Sequence, residues 1–235
     1  MSFFDRFQGV FFSPQPVFQG LAQKPVWKDA LIVLLIVMAA YSYVTGPFAQ
    51  KDTLAALKDN VKLQDRLGKE TFDKIIQNME NPSTTGTILR SAVFNPVLML
   101  AGWLIAGLII LVLGRMVSTE GAFLPIFAAV LHANFIDKIL GTLVRLILIM
   151  TRKSVMQIST SLALLMPGAE FTSAPFIILS QFDFFQLWMF GVLGLGLAQI
   201  FKVSVAKGMT ISYGFWALKS VVFVVLGFLS RSFFG

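Results

Sequence analysis

Hydrophobic positions in this chain come in long unbroken runs, not in the short alternating or amphipathic stretches of a soluble domain. Ala30 to Gln50 and Ser91 to Gly114 hold no charge over 21 and 24 positions, and Phe184 to Phe201 hold none over 18. At 1.5 Å per residue the shortest of the three makes about 27 Å of helix, close to the hydrocarbon thickness of a bilayer. Two further runs are apolar but interrupted: Gly121 to Met150 by His132, Asn134, Asp137, Lys138 and Arg145, and Gly208 to Leu229 by Lys219. The pattern predicts an all-α polytopic integral membrane protein with five transmembrane helices, at about 27–48, 93–115, 121–140, 183–203 and 208–230. The third run is readable as one long helix or as two; a break at Gly141 is favoured.

Polar segments fill in the rest. Phe3, Phe7, Val10 and Phe11 recur at i, i+4, i+7 and i+8, with Asp5, Arg6 and Gln8 on other faces, so residues 1–26 read as an N-terminal amphipathic segment lying in the membrane interface. Its charge layout does not suit a cleaved signal peptide. Ser13 is placed to cap a second short helix with Pro14 at its first position, and Pro25 ends it. Residues 27–235 form the membrane domain, with an extramembrane helical hairpin inserted at 51–90, where Leu54, Leu57 and Val61 make one stripe and Phe72, Ile75, Ile76 and Met79 another. Ser154 to Ala169 and Phe171 to Phe182, broken at Pro167-Gly168 and Ala174-Pro175, are too short to cross and read as interfacial or re-entrant helices.

Composition agrees with the membrane assignment. A chain of 235 residues that is 56% hydrophobic and 13% charged, with 24 Phe and mean hydropathy +0.78, has more apolar surface than one soluble core can cover. The absence of Cys excludes disulfides, thiolate nucleophiles and Cys-based metal sites. Net charge is +7, yet residues 51–90 carry seven Lys/Arg against six Asp/Glu, so the excess lies on and near the spans. Anionic lipid head groups are the natural partner. Nucleic acid is not, because no dense basic run is interleaved with aromatics.

Candidate chemistry is confined to polar residues at membrane depth: His132, Asn134, Asp137, Lys138 and Lys219. A charge at the bilayer centre costs ~2.5–3.5 kcal/mol on insertion scales, so such residues face a protein interior or a water-filled cavity. Lys219 lies about 16 Å along its helix from Gly208 and requires a partner or water, with Asp137 the leading candidate. With a single His, no His-Glu-x-x-His and no Gly-rich phosphate loop, the sequence offers no metal site, no cofactor site and no catalytic constellation. Gly191, Gly194 and Ala198, at i, i+3 and i+7, make a smooth stripe where a neighbouring helix can approach closely.

One stretch resembles a known family. Asp183, Phe185 and Trp188, then Gly196-Leu197-Ala198 and Lys202, are similar to the start and end of the fourth span of the Yip (Ypt/Rab-interacting protein) membrane proteins. Ser13-Pro14-Gln15-Pro16-Val17-Phe18 and Lys24-Pro25-Val26-Trp27 resemble the bacterial branch. The resemblance implies five spans, a cytoplasmic N-terminus, a bacterial inner membrane and a family motif at Asp183, Trp188, Gly196 and Lys202. It also implies a non-enzymatic adaptor or organiser that binds protein or lipid in the membrane, including a second copy of itself. Eukaryotic relatives bind Rab GTPases in vesicle traffic; no GTPase surface is identifiable here. The alternative is a small-solute or proton permease using the intramembrane polar residues.

Overall fold

The computed structural model describes residues 1–58, 60–156, 158–166 and 169–234, so the expected break at Pro167-Gly168 lies outside the described residues. The chain is helical nearly throughout, and its β structure among the described residues is an isolated antiparallel bridge between Ser161 and Asp183. Helices α1 (Phe3–Phe12) and α2 (Pro14–Gln23) precede α3 (Lys28–Lys58), α4 (Val61–Leu67) and α5 (Lys69–Glu80). Helix α6 (Thr84–Leu89) runs through a π-helical turn, Arg90–Phe94, into α7 (Asn95–Arg115). Helix α8 (Phe123–Phe135) likewise runs through a π turn, Ile136–Gly141, into α9 (Thr142–Arg152). Helices α10 (Ala174–Leu179), α11 (Phe184–Ile200) and α12 (Val205–Phe234) complete the chain.

Among the described residues three helices are long and apolar enough to cross a membrane: Lys28–Lys58, Thr84–Arg115 and Val205–Ser230, with only 17%, 22% and 22% of their apolar windows buried. Their outward faces carry exposed Ile32, Ile36, Leu98, Ile105, Val112, Val222 and Phe223, surface that suits lipid. Five spans are not reproduced at full length. The expected span at 121–140 is α8 and its π turn, and every residue from Ile126 to Asp137 is buried in protein. The one expected at 183–203 is α11, with 17 residues. Apolar runs of this kind read as spans because a helix hydrophobic all round is a core helix or a membrane helix, and sequence does not separate the two.

Local signals explain several boundaries. Ser2 and Asp5 form a capping box at α1, and the Ser2 backbone N–H and hydroxyl hold the Asp5 carboxyl below its ordinary range. Ser13 precedes Pro14 as expected but makes no side-chain cap bond. Pro47 does not end the first long helix; α3 carries it internally and runs to Lys58. The π turn before α7 has a cause in Pro96, which offers no N–H to the carbonyl of Ala92 and crowds it, so the chain widens and Asn95 N–H bonds to Arg90 O. At Gly141 the helix continues through its π turn instead of breaking. Residues 154–156 and 158–161 are not helical, and among the described residues a 3-10 turn at Leu162–Leu165 and α10 are what remain of the two expected short helices.

The chain forms two compact units, Met1–Met38 with Pro96–Thr142 and Phe184–Ser220, and Ala39–Asn95 with Leu143–Asp183 and Val221–Gly235. In the first, α2 and α8 pack on α11, and Phe18, Leu131, Phe135 and Leu197 are fully buried. Gly107 and Gly114, seven residues apart on α7, both admit an aromatic ring: a Cβ on the first would meet Phe123 and on the second Phe201. In the second unit Lys58 pairs with Glu80, Gln50 Nε2 donates to Met79 O, and Ile177 fills the space beside Gly227. The hairpin stripe is only partly covered: Phe72 is buried while Ile75 and Val61 are exposed.

Candidate functional site

The motif residues on α11 build a dock for the N-terminal helices. Phe11 meets Trp188 edge-on at 6.2 Å between ring centroids, and Phe18 lies over Gly196, where a Cβ would stand 2.6 Å from Phe18 Cδ1. Phe3 and Phe7 reach Phe135 on α8, at 6.0 and 5.4 Å. The apolar stripe of the first 26 residues is thus used in protein packing, with Val10, Val17, Phe18 and Leu21 closed off, while Phe4 and Phe12 point away from the protein. On the opposite side of α11, the small-residue stripe admits α12: Cβ atoms on Gly194 and Gly208 would meet the facing backbone, and one on Gly191 the Tyr213 hydroxyl. Tyr213 donates to Leu187 O and Ser212 to Phe190 O, at 3.1 and 2.6 Å.

Beneath α1 sits a buried ionic clasp that periodicity alone assigns wrongly. Arg6, placed on the polar face by sequence, is 6% exposed; its guanidinium pairs with Asp29, donates from Nη1 to Met1 O at 2.9 Å and from Nε to His132 Nε2 at 3.2 Å. Arginine only donates, so His132 Nε2 accepts and the ring proton resides on Nδ1, which donates to Ala128 O at 2.8 Å. His132 is therefore a neutral imidazole with both nitrogens bonded and no exposed surface. A signal existed: Arg6 lies four positions before Val10, only about 40° from it around the helix.

The other polar residues of the expected cluster are distributed along the first unit. Asn134 donates back to Val130 O at 2.8 Å, a helix-internal bond. Asp137, 2% exposed, pairs with its neighbour Lys138 at 2.8 Å on the π turn. Lys219 is half-buried, donates to Gln186 Oε1 and sits 5.7 Å from the Phe190 ring. Gln186 is a residue the sequence reading passed over, since a lone Gln in an apolar run carries no charge signal.

Lys202, the last motif residue, closes one end of this unit. It adopts a left-handed backbone conformation, φ 50°, and its Nζ lies 3.3 Å from Glu120. Phe201 is fully buried beside Gly114 and Gly121, where φ is +95°, and Ser118 Oγ donates to Phe201 O at 2.7 Å. Two cavities flank Lys202. One of about 460 Å³ is lined by Gln19, Gln23, Glu120 and Gln199; an open one of about 680 Å³ is lined by Arg115, Ser118, Lys202, Ser204 and Lys207.

Asp183 belongs to the second unit. Arg145 Nη2 donates to both of its carboxylate oxygens, at 3.0 and 3.1 Å, Thr160 donates to it, and Arg145 Nε donates to Thr160 Oγ1 at 3.1 Å. The motif Asp thereby anchors the loop whose Ser161 bridges to it. Asp52 does the same for the loop after α9, accepting from Ser154 Oγ, Val155 N and Met156 N at 2.8, 2.6 and 3.0 Å. Burial pushes the Asp52 carboxyl up, but these three donors and Lys51 outweigh it and hold the group below its ordinary value. A cavity of about 630 Å³ in this unit has Ser42, Thr45, Asn78, Arg90, Pro47 and Met79 among its lining residues.

Among the described residues no group of three His, Asp or Glu stands close enough to hold a metal. Neither the curated proteins nor the solved structures contain a match to this chain. The Yip1 domain family, a membrane-protein family not known for catalysis, has a model that matches residues 9–227, nearly the whole chain. With its apolar helices, and with the family model spanning residues 9–227, the chain belongs to the Yip1 domain family.

Proposed function

We propose that this protein is a non-enzymatic organiser in the membrane, an adaptor that binds protein or lipid partners through its helical surface. The observation that carries this reading is how polar groups among the apolar helices are partnered: Arg6, Asp29 and His132 close on one another, Asp137 on Lys138, and Lys219 on Gln186. Groups held this way specify helix packing, whereas a relay requires titratable groups that exchange protons with a water path. The same reading takes α8 with its π turn and α11 as the third and fourth of five membrane helices, and the N-terminus as cytoplasmic in a bacterial inner membrane. Lys24, Lys28, Arg115, Lys202 and Lys207 then form the cytoplasmic positive charge.

The test is affinity capture of the full chain in nanodiscs from its own membrane. A stoichiometric protein partner or a retained lipid supports the proposal; a clean monomer with neither refutes it. In proteoliposomes, a proton or solute flux abolished by Asp137→Asn would instead establish the permease.

A further inference from the structure

We infer that the open cavity between the end of α7 and the start of α12 is a binding site for the phosphodiester of an anionic phospholipid, one molecule held by Arg115, Lys202 and Lys207. The inference gives the proposed organiser a specific lipid partner and rests on that reading.

Three cations line a single cavity of about 680 Å³, with the hydroxyls of Ser118 and Ser204 beside them. Glu120 offsets one of the three, through its contact with Lys202. Arg115 spends two N–H groups on Thr119 O and Gly121 O, and a guanidinium has five. Those two bonds fix its fork at the cavity while leaving donors for a phosphate oxygen. Lys207 makes no ion pair among the described residues. Helix α12 begins here, 30 residues long, with no acidic residue in its first turn to cancel the positive end of its dipole. Lys202 is held in the left-handed region, φ 50°, a conformation that an ordinary side chain adopts only where its surroundings impose it.

The neighbours of these cations decide between a lipid and a free anion. Arg115 and Val205 are the ends of two helices able to cross a membrane, so the cavity lies where a head group sits. Met116 and Val117 line it, and both are exposed, Met116 at 78%, as is Val205. A phosphate ion would leave these apolar side chains in water, whereas a phospholipid covers them with acyl chain while its phosphate meets the cations.

The experiment measures spin-labelled phosphatidylglycerol against phosphatidylcholine bound to the full chain in nanodiscs, for the wild type, Lys207→Gln and Lys202→Asn. Asparagine tolerates the left-handed backbone, so the second variant removes charge without straining the chain. The expected result is a preference for phosphatidylglycerol that falls roughly fivefold with each cation removed. Lys62→Gln, an exposed charge in the second unit, leaves that preference unchanged. An equal loss with Lys62→Gln, or no preference in the wild type, overturns the site. Displacement of the labelled lipid by inorganic phosphate overturns it in favour of a free-anion site. Capture of a stoichiometric protein partner by the wild type, with lipid preference absent, would sink this inference while leaving the organiser reading intact.

Discussion

Gly208→Ala adds one methyl group where α12 crosses α11. The new Cβ would stand 2.4 Å from the Gly194 carbonyl oxygen, 2.8 Å from Ala198 Cβ and 2.8 Å from Ala198 N. Two of these three atoms are backbone, so no rotamer change relieves the clash. Ordinary contact begins at 3.4 Å, so the helices must part by about 1 Å at the crossing. Overpacking of this kind costs about 1–3 kcal/mol, and the better helix propensity of Ala returns about 1 kcal/mol. The expected net loss is up to about 2 kcal/mol, and the expected gap between this variant and an unobstructed alanine on the same helix is the full ~1–3 kcal/mol of overpacking. Gly214→Ala, on the same helix, supplies the internal control, because nothing lies within 4 Å of a Cβ there. It should be neutral or stabilising by up to ~1 kcal/mol. Reversible unfolding in bicelles, followed by steric trapping, measures both variants against the wild type. If the two alanines agree within about 0.5 kcal/mol, the helices are not in the contact described and the argument fails.

Arg6→Met strands the Asp29 carboxylate and the His132 ring nitrogen together; a loss of about 2–3 kcal/mol is expected, with faster tryptic cleavage at Lys24, and an unchanged melting curve would count against the clasp. Arg145→Lys keeps the charge but loses the two-oxygen grip on Asp183, so destabilisation of about 1 kcal/mol and faster hydrogen exchange at Leu162, whose N–H bonds to Phe182 O, should follow. The Asp52 anchor is pH-dependent with a definite sign. Its carboxyl is held below the ordinary 3.8, so it contributes fully above that pH and is lost as pH falls through the lower folded value. Amide exchange at Val155 and Met156, corrected for intrinsic pH dependence, should stay slow at pH 5 and 7 and quicken in stronger acid; Asp52→Asn should exchange fast throughout.

Sequence by itself determined the class of the molecule. Uncharged runs of 18 to 24 residues admit helices and little else, and their excess apolar area demands lipid. The N-terminal helices, the small-residue stripe facing a neighbour and the family were legible for the same reason: each depends on residues close together in the chain. Tertiary structure alone decided which apolar helix keeps an exposed apolar face and which is wrapped in protein, because α7 and α8 look alike in hydropathy and differ in their neighbours. It also decided the partners of the charges. Arg6 meets His132 across 126 positions, and Lys219 donates to Gln186 across 33. Such pairings follow from how helices pack against one another, and periodicity within any one helix contains no record of that.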